Sequence, residues 1–416
     1  MSTVRIGIVG SGYMGRTYAE VLDKHTFGAT LVAVAVGQRA GRLAADYGVD
    51  FESSLEALVA RSDIDAVILA TPEQSRLSQV LSAAAARKHV LSEKPLAPDL
   101  AQADQMISAC AAAGVTLMVC QTARYRGTLA HAKQLVAQGR IGRVWQVRTY
   151  AMGMAQDYAD FVGVKPWVAD PASGGFFYDQ AVHNFDFMRW LIGSEARQVF
   201  AYVNTQSGMP WPGMSIMAQI QYEGGAMAQL NLCFELPGVE FPEHTTRFQV
   251  VGETGLLDLD MYTSVRLGKN GVWETIWEQP KFDYVNDPNS PVRLAAHAAM
   301  VQELVSSLLE GRDPAVTGAD GRAAVARASR PSWMLSRRSA ALAVKSATAG
   351  NSFSLAPLSR RAKARPAFSR SRGPISMRTG TPFLIHSQFL VPPARSGLMK
   401  GTPPAGGVAR AANVCA

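Results

Sequence analysis

Three side chains in the sequence have the chemistry of a site that moves a proton and stabilises charge: Lys94, Asp179 and His183. Lys94 lies in an SEKP turn, and Asp179 and His183 are four residues apart, a spacing that places them on one face of a helix. An imidazole is a suitable base near neutral pH, an ammonium can stabilise an alkoxide, and Asp179 can orient the ligand or the imidazole. Each residue alone suits a structural role. Together they predict the oxidation of a secondary alcohol.

A glycine-rich turn near the start of the chain indicates a dinucleotide site. The strand pattern VRIGIVG runs into GSGYMG, and a helix pattern follows. Gly10 permits the tight turn, Gly12 lets the backbone approach a pyrophosphate, and Gly15 lets the helix pack on the strand. The first N–H groups of the helix are then available to the phosphates, and we expect Tyr13 and Met14 to contact the cofactor.

The residues after the second predicted strand bear on the choice between NAD and NADP. That strand ends in VGQR, without the acidic residue that holds the ribose 2′-hydroxyl of NAD in Rossmann domains. Arg39 or Arg42 could instead bind a 2′-phosphate, which favours NADP. Gln38 could hold the ribose of NAD while Arg39 is solvated, so both cofactors stay open.

Polar residues also follow the third and fourth predicted strands. Thr71 and Pro72 come after one strand, and Glu93 and Lys94 come after the other. Open parallel sheets bind ligands at the carboxyl ends of their strands. We therefore expect these four residues to complete the cofactor site.

Hydrophobic periodicity divides the chain into two folded domains and a tail. Residues 1–123 alternate short apolar runs with segments whose apolar residues recur every three or four positions. This alternation is typical of an α/β Rossmann domain with a doubly wound parallel sheet. Residues 124–329 carry strand patterns separated by turns such as Lys269-Asn270-Gly271, and two helix patterns follow. They predict an α+β substrate and oligomerisation domain with a mostly antiparallel open sheet.

The predicted strands of the second domain carry apolar residues that we assign to both alternating sets: Ala218, Ile220 and Tyr222 beside Ile216, Met217 and Leu230. Helices on one face of an open sheet leave the other face uncovered. A large exposed apolar face usually marks an interface. We therefore expect this sheet to form a homo-oligomer.

The excess of basic residues belongs to the tail. The chain has a formal net charge of +8, but fourteen of its 41 Lys and Arg residues, and none of its 33 acidic residues, lie at 330–416. Residues 1–329 therefore carry 27 basic and 33 acidic side chains, a net charge of −6. This balance argues against a basic nucleic-acid-binding face on the folded part. The tail is predicted to be disordered, as an interaction segment or as an unselected, out-of-frame extension.

Composition argues against several other classes. The four cysteines have no CxxC or Cys/His spacing, so we expect neither a disulfide framework nor a metal site. The start MSTVRIGIVG lacks the pattern of a signal peptide. The uncharged stretch 105–123 contains Gly114 between a helix pattern and a strand pattern, and we interpret it as a buried helix–turn–strand, not a membrane span. We expect a cytoplasmic protein with no nucleic-acid or membrane partner.

The motifs together resemble the Gfo/Idh/MocA (glucose–fructose oxidoreductase / inositol dehydrogenase) family over about residues 3–328. The resemblance rests on GIVGSGYMG, ATP, SEKPLA, GRIGRV and GGFFYDQAVHNFD, in the order and spacing of the family. It implies a catalytic lysine at Lys94, and it places the Asp and His of the Asp-x-Gly-x-His motif at Asp179 and His183. The middle glycine of that motif is Ala181 here. The resemblance also implies an NAD(P) cofactor and dimers or tetramers.

The primary function that we expect is an NAD(P)-dependent dehydrogenase for a ring-borne secondary alcohol, either a sugar or a cyclic polyol. A cis-dihydrodiol dehydrogenase of aromatic catabolism is an alternative, because aromatic and Met residues surround the motifs and Lys165, Arg124 or Arg126 could meet a ring carboxylate. A regulator that senses NAD(P) without turnover is a second alternative. Arg124 and Tyr125 at the domain junction, and Trp167 near the GG motif, are candidates for the substrate pocket.

We predict that the tail is dispensable for binding and turnover. Deletion of residues 330–416 should leave both largely unchanged, because the tail offers too little patterned apolar surface to offset the entropy of ordering it. Cofactor titration and turnover of the 1–329 protein beside the full chain measure this. A truncated protein that fails to fold, or that loses its activity, contradicts the prediction.

Overall fold

A parallel sheet of six strands comes first in the computed structural model, which describes residues 3–154, 168, 170, 175–209, 213–239, 246–283 and 287–328. Its strands are β1 (Val4–Val9), β2 (Ala29–Ala35), β3 (Asp50–Glu52), β4 (Ala66–Leu69), β5 (His89–Ser92) and β6 (Leu117–Val119). They lie in the order β3-β2-β1-β4-β5-β6. This is the order of a Rossmann sheet, and it opens a crevice where β1 and β4 end.

Five helices connect these strands: α1 (Tyr13–Lys24), α2 (Ala40–Tyr47), α3 (Leu55–Ala60), α4 (Glu73–Ala85) and α5 (Leu100–Ala113). Strands such as β4 are buried along their whole length because helices cover both faces of the sheet. Helix α5 ends at Gly114, whose φ of +67° favours glycine, and β6 follows. The stretch 105–123 is therefore a helix–turn–strand, as predicted. No helix in the described part of the chain is long and apolar enough to span a membrane.

The second sheet has eight strands: β7 (Val144–Met154), β8 (Ala196–Asn204), β9 (Ser215–Tyr222), β10 (Met227–Leu236), β11 (Arg247–Gly252), β12 (Leu256–Asp260), β13 (Ser264–Lys269) and β14 (Val272–Glu278). Their order is β14-β13-β12-β11-β7-β10-β9-β8. Neighbouring strands are antiparallel except for β7 and β10, which are parallel. The predicted mostly antiparallel sheet is confirmed.

The described residues form four further helices, with a 3₁₀ helix at Thr122–Tyr125: α6 (Gly127–Ala137), α7 (Gly175–Ile192), α8 (Pro291–Glu310) and α9 (Gly318–Ala328). Helices α6 and α7 pack on one face of the second sheet, where the rings of Phe187 and Phe248 lie 4.7 Å apart. Helix α8 returns to pack on α1, and α9 packs on α5 and α7. All described residues belong to one compact unit, and the domain boundary at 123/124 stays a prediction.

Two strands were not predicted. Strand β3 has only three residues at the sheet edge, too few to show a periodicity. Strand β14 pairs with β13 through a two-residue turn at Asn270 and Gly271, both with positive φ. The turn was identified from the sequence. The strand after it is an exposed edge with several solvent-facing side chains, so it lacks the clean alternation of a half-buried strand.

The assignment of Ile216 to the face opposite Ala218 is wrong, whereas Met217 does lie on the other face of β9. Ile216, Ala218 and Ile220 are all buried on the same face, because side chains two residues apart point the same way along a strand. Leu230 lies opposite Ala218 and is buried too. The other face of the sheet carries separate exposed apolar side chains among polar ones: Phe200, Tyr202, Met217 and Met227, beside Gln219, Gln221 and Gln229.

Candidate functional site

A cleft of about 460 Å³ lies at the carboxyl ends of β1, β4 and β5, and α7 forms another wall. It brings together nine of the predicted site residues: Gly12, Tyr13, Met14, Arg39, Thr71, Glu93, Lys94, Asp179 and His183. Arg42 lines it as well. Gly10 and Gly15 lie in the same glycine turn, Gln38 lies in the turn after β2, and Pro72 is the N-cap of α4. The motifs of the first domain and the Asp179–His183 motif, which are distant in sequence, therefore share one cleft.

The glycine turn has the geometry of a dinucleotide cradle. Gly10 has φ of +111°, and a side chain there would meet the Ala70 carbonyl oxygen at 2.5 Å. A side chain at Gly15 would lie 2.0 Å from the Gly10 oxygen, so the start of α1 packs directly on the turn. A Cβ at Gly12 would meet no atom within 4 Å. The space beside Gly12 suits the pyrophosphate of a dinucleotide, whose charge the N-terminus of α1 would favour.

The end of β2 is tied to the glycine turn by Ser11, whose hydroxyl accepts a hydrogen bond from the Arg39 backbone N–H at 3.2 Å. Arg39 and Arg42 are exposed on the cleft, and Gln38 is exposed in the turn. Arg16 pairs with Asp46 at 2.9 Å. The part of the cleft beside β2 therefore carries Arg39 and Arg42 besides the paired Arg16, and no acid stands at the end of β2.

Lys94 and Asp179 form a buried pair across the cleft. The Lys94 ammonium donates to Asp179 Oδ1 and to the Asp179 backbone oxygen, each at 2.9 Å. Gln180 Nε2 donates to the other carboxylate oxygen, Oδ2, at 2.7 Å. Only 7% of the Lys94 side chain is exposed, so the pair is shielded from bulk water and its attraction is little screened. Asp179 thus fixes the position of the ammonium next to His183, which is one turn further along α7.

Glu93 is held from the side of the first domain. The hydroxyl of Tyr18, buried in α1, donates to Glu93 Oε1, and Oε2 accepts the Lys94 backbone N–H at 3.0 Å. Burial and the neighbouring Glu93 and Cys120 raise the pKa of Tyr18 well above its usual value, which keeps the phenol protonated as a donor. Hydrogen bonds to both carboxylate oxygens of Glu93 therefore fix the turn that carries Lys94.

Arg76 and Glu73 were not singled out from the sequence, and Arg76 supports the same turns. The guanidinium of Arg76 donates to the Thr71 carbonyl oxygen and to that of Pro95, so it joins the turns after β4 and β5. Burial raises the pKa of Glu73, while Arg76 opposes that shift. The signal in the sequence was a pair of charges at the start of a helix whose following residues are mostly apolar.

A side cavity of about 30 Å³ adjoins the cleft at His183, which lines both spaces. Its wall comes from α7, the second sheet and the 3₁₀ helix, and consists of Ala123, Arg126, Ala151, Gln180, His183, Asn184, Phe234, Thr246, Met261 and Tyr262. It combines amide, hydroxyl and guanidinium groups with aromatic and apolar walls. Such a mixture is typical of a site that positions a small organic molecule.

Two of the three predicted pocket candidates, Arg124 and Tyr125, line neither the cleft nor the side cavity. Arg124 is buried, and its guanidinium donates to Asp186 at 2.6 and 2.7 Å and to Asp320 at 3.0 Å. Burial opposes the charge of Arg124, but the two carboxylates more than offset it and raise the pKa of Arg124. Tyr125 packs between the two apolar cores, and Trp167 lies outside the described residues. The placement of Arg124 favours a structural role over the predicted pocket role.

His297 lines the cleft from α8 and was not identified from the sequence. Its ring lies edge-on to Tyr18 with centroids 6.3 Å apart. Burial, followed by the charges of Arg293 and Arg126, lowers the pKa of His297 to about 3. A histidine within the apolar pattern RLAAHAAM was the signal, but the pattern does not tell which space the side chain faces.

Because folding keeps His297 neutral, its contribution to stability depends on pH. The contribution is present above the ordinary imidazole pKa of 6.5 and is lost as the pH falls from 6.5 toward 3, since only the unfolded chain takes up the proton there. Between pH 7 and pH 5 the wild type should lose about 2 kcal/mol more unfolding free energy than His297→Gln. Urea denaturation at both pH values measures this. Equal losses of unfolding free energy in the two proteins would contradict the assignment of a neutral His297 to the folded protein.

In the ranges that the structure describes, no group of three or more His, Cys, Asp or Glu side chains is arranged to hold a metal ion. Cys110 and Cys120 are buried free thiols, and Cys233 is half-buried and also free.

Comparisons with known proteins agree with this geometry. A protein 34% identical over half of the chain is inositol 2-dehydrogenase 4 of Saccharopolyspora erythraea, of which 61% is covered. An uncharacterized oxidoreductase of Streptococcus pneumoniae is 32% identical over 46% of this chain and 50% of its own length. The chain thus spans about half the length of the first curated relatives that it matches. A solved scyllo-inositol dehydrogenase from Lactobacillus casei, with bound NAD(H) and scyllo-inositol, superposes with TM-score 0.64 at 27% identity, covering 79% of this chain and 95% of that one.

Family profiles match most of the described chain. Residues 4–121 match the oxidoreductase family with an NAD-binding Rossmann fold, GFO_IDH_MocA. Residues 129–258 match the C-terminal domain of the same family. The chain belongs to the GFO/IDH/MocA family of oxidoreductases.

Proposed function

We propose that the protein is an NAD(P)-dependent dehydrogenase that removes a hydride from a ring-borne secondary alcohol, a sugar or a cyclic polyol. One observation carries the proposal: the buried Lys94–Asp179 pair lies in the same cleft as His183 and the glycine turn. The relatives named inositol dehydrogenase, from Saccharopolyspora erythraea and Lactobacillus casei, support the substrate class. A glycine turn alone would support nucleotide binding without turnover.

The residues divide the work of the oxidation. His183 would accept the hydroxyl proton, because a neutral imidazole is the best-matched base near neutral pH. The Lys94 ammonium, held by Asp179, would stabilise the negative charge that develops on the alcohol oxygen. The glycine turn, Thr71 and Glu93 would hold the cofactor, which the open space at Gly12 fits. When bound, the nicotinamide supplies the acceptor for the hydride.

The alternative as a cis-dihydrodiol dehydrogenase keeps one observation in its favour. Phe234, Met261 and Tyr262 line the side cavity and would contact the edge of a flat carbocyclic ring that is bound in the cleft. Substrate screening should therefore include dihydrodiols beside sugars and inositols, with both cofactors. The non-catalytic sensor is tested by the substitutions that follow.

We predict that Lys94→Ala lowers turnover about 10²–10³-fold, while cofactor affinity changes little, because the ammonium acts where alkoxide charge develops. His183→Ala should lower turnover about 10²–10⁴-fold and flatten the rise of rate with pH near neutrality, since the base is gone. Steady-state kinetics from pH 5.5 to 9 measure both. Lys24→Ala, on the surface of α1, and His131→Ala, stacked on Trp277, are matched controls that should keep their activity.

Gly12→Val separates binding from chemistry in the same experiment. A Cβ at Gly12 would meet no protein atom within 4 Å, so we expect the variant to fold. The valine side chain fills the space next to the pyrophosphate and should abolish cofactor binding. Near-normal turnover in both Lys94→Ala and His183→Ala would refute the roles given to these two residues, whereas a wild type that binds the cofactor but turns over no ring alcohol would favour the sensor.

For the cofactor, we propose a preference for NADP, carried by Arg39 and Arg42 on the cleft and by the absence of an acid after β2. Replacing both with Ala should weaken NADP binding at least about tenfold and change NAD binding little, because a charge-assisted contact to the 2′-phosphate is lost. Calorimetric titration with both cofactors measures the ratio. Arg143→Ala, at an exposed position of the second sheet region, is the control. Preference for NAD in the wild type would favour Gln38 as the ribose partner.

For the assembly, we propose that the uncovered face of the second sheet binds a second copy of the chain. Phe200, Tyr202, Met217 and Met227 are each at least 44% exposed there, on the three adjacent strands β8, β9 and β10. Light scattering at micromolar concentration should give a dimer or tetramer, and Tyr202→Glu with Met217→Glu should give a monomer. Phe27→Glu, at an exposed position of the first domain, should leave the assembly intact. A monomeric wild type rules the proposal out.

A further inference from the structure

The side cavity beside His183 carries a positive charge that has no role in the proposed function. Among the described residues that line it, Arg126 is the only one with a permanent charge. Its remaining polar groups, on Gln180, Asn184 and Thr246, are neutral. A substrate that enters from the cleft and reaches His183 therefore meets one cation in this cavity.

The guanidinium of Arg126 packs on an aromatic ring. It lies over the ring of Tyr262 with 4.7 Å between the guanidinium carbon and the ring centroid. Stacking on an aromatic face leaves the N–H groups at the edge of the guanidinium plane directed sideways, which is how arginine meets a carboxylate. Tyr262 is itself a wall of the side cavity, so the stacked pair stands at its boundary.

The size of the side cavity limits what can occupy it. Its volume of about 30 Å³ suits a group of the size of one or two water molecules. A carboxylate attached to a ring is of this size. The apolar walls at Phe234 and Met261 would contact the ring carbons next to it.

The charge of Arg126 also acts on the main cleft. Together with burial and Arg293, it keeps His297 neutral, so this histidine adds no cation to the cleft. In the cleft, Asp179 accepts hydrogen bonds from Lys94 and Gln180. Lys94 is thus engaged with Asp179, while Arg126 provides a positive charge inside the side cavity.

We propose that the substrate is a cyclic hydroxy acid, and that Arg126 binds its carboxylate in the side cavity while the alcohol carbon lies at His183. The proposal rests on the proposed function for the reaction and adds the class of substrate. Arg126 acts on substrate affinity and orientation, and the proton and the hydride are handled by the other residues.

The test is a binding measurement that needs no turnover. Cyclohexanecarboxylate and its neutral analogue cyclohexanecarboxamide are titrated by calorimetry into the wild-type protein saturated with cofactor. The acid should bind about 10–100-fold more tightly than the amide, because it alone forms an ion pair with the guanidinium. In Arg126→Gln the difference should fall to within about threefold through weaker binding of the acid, with the amide unchanged. Arg143→Gln, at an exposed position, should keep the full difference.

Two results would overturn the proposal: equal affinities for acid and amide in the wild type, or a full preference for the acid in Arg126→Gln. If Arg126→Gln does not fold, Arg126→Lys is measured instead. A lysine cannot form the two-pronged contact of a guanidinium with a carboxylate, so the affinity for cyclohexanecarboxylate should fall at least about threefold. These titrations are independent of catalysis. Their failure leaves the dehydrogenase proposal intact, whereas inactivity of the wild type towards every ring alcohol counts against that proposal alone.

Discussion

The hydrogen-bonded pair of Lys94 and Asp179 is the interaction on which the arrangement of the cleft depends. Lys94 follows β5 of the Rossmann sheet, and Asp179 lies in α7, which packs on the second sheet. Both side chains are nearly buried, so each charge needs the other. Loss of one partner of such a pair typically costs about 3–5 kcal/mol, because the remaining charge is left uncompensated. The same contact that joins the two sheets therefore also fixes the ammonium next to His183.

Neighbouring charges extend this constraint. Arg124, a second buried cation, pairs with Asp186 on α7 and with Asp320 on α9. It thus joins the 3₁₀ helix to both of these helices. Arg76 and Tyr18 hold the turns at Thr71 and Glu93 from the side of the first domain. None of these groups needs to contact a substrate. They keep the cleft in one geometry, as an electrostatic site requires if it is not to reorganise during the reaction.

The sequence predicted those features that rest on local pattern. The glycine turn, the parallel strands and the helical spacing of Asp179 and His183 are set by neighbouring residues, and their placement in one cleft follows from the rule for the carboxyl ends of parallel strands. His297 escaped because the ring that it meets, Tyr18, comes from a segment more than a hundred residues away. Arg126 was named only as one of three possible partners of a ring carboxylate, because much of the cavity that it lines comes from distant segments. Arg124 was expected in the pocket because nothing local reveals that Asp186 and Asp320 meet it. On β9, the alternation of side chains was counted wrongly by one residue, so Ile216 was assigned to the wrong face of the sheet.

The central claim is that Lys94 and Asp179 act as one unit in hydride transfer. A double-mutant cycle on kcat, with Lys94→Met, Asp179→Asn and the combined variant, tests it most directly. The account predicts strong non-additivity, so that the combined variant is about as slow as the slower single variant, since either change alone already destroys the positioned ammonium. Losses that multiply in the combined variant would mean that the two residues act independently, and would contradict the account.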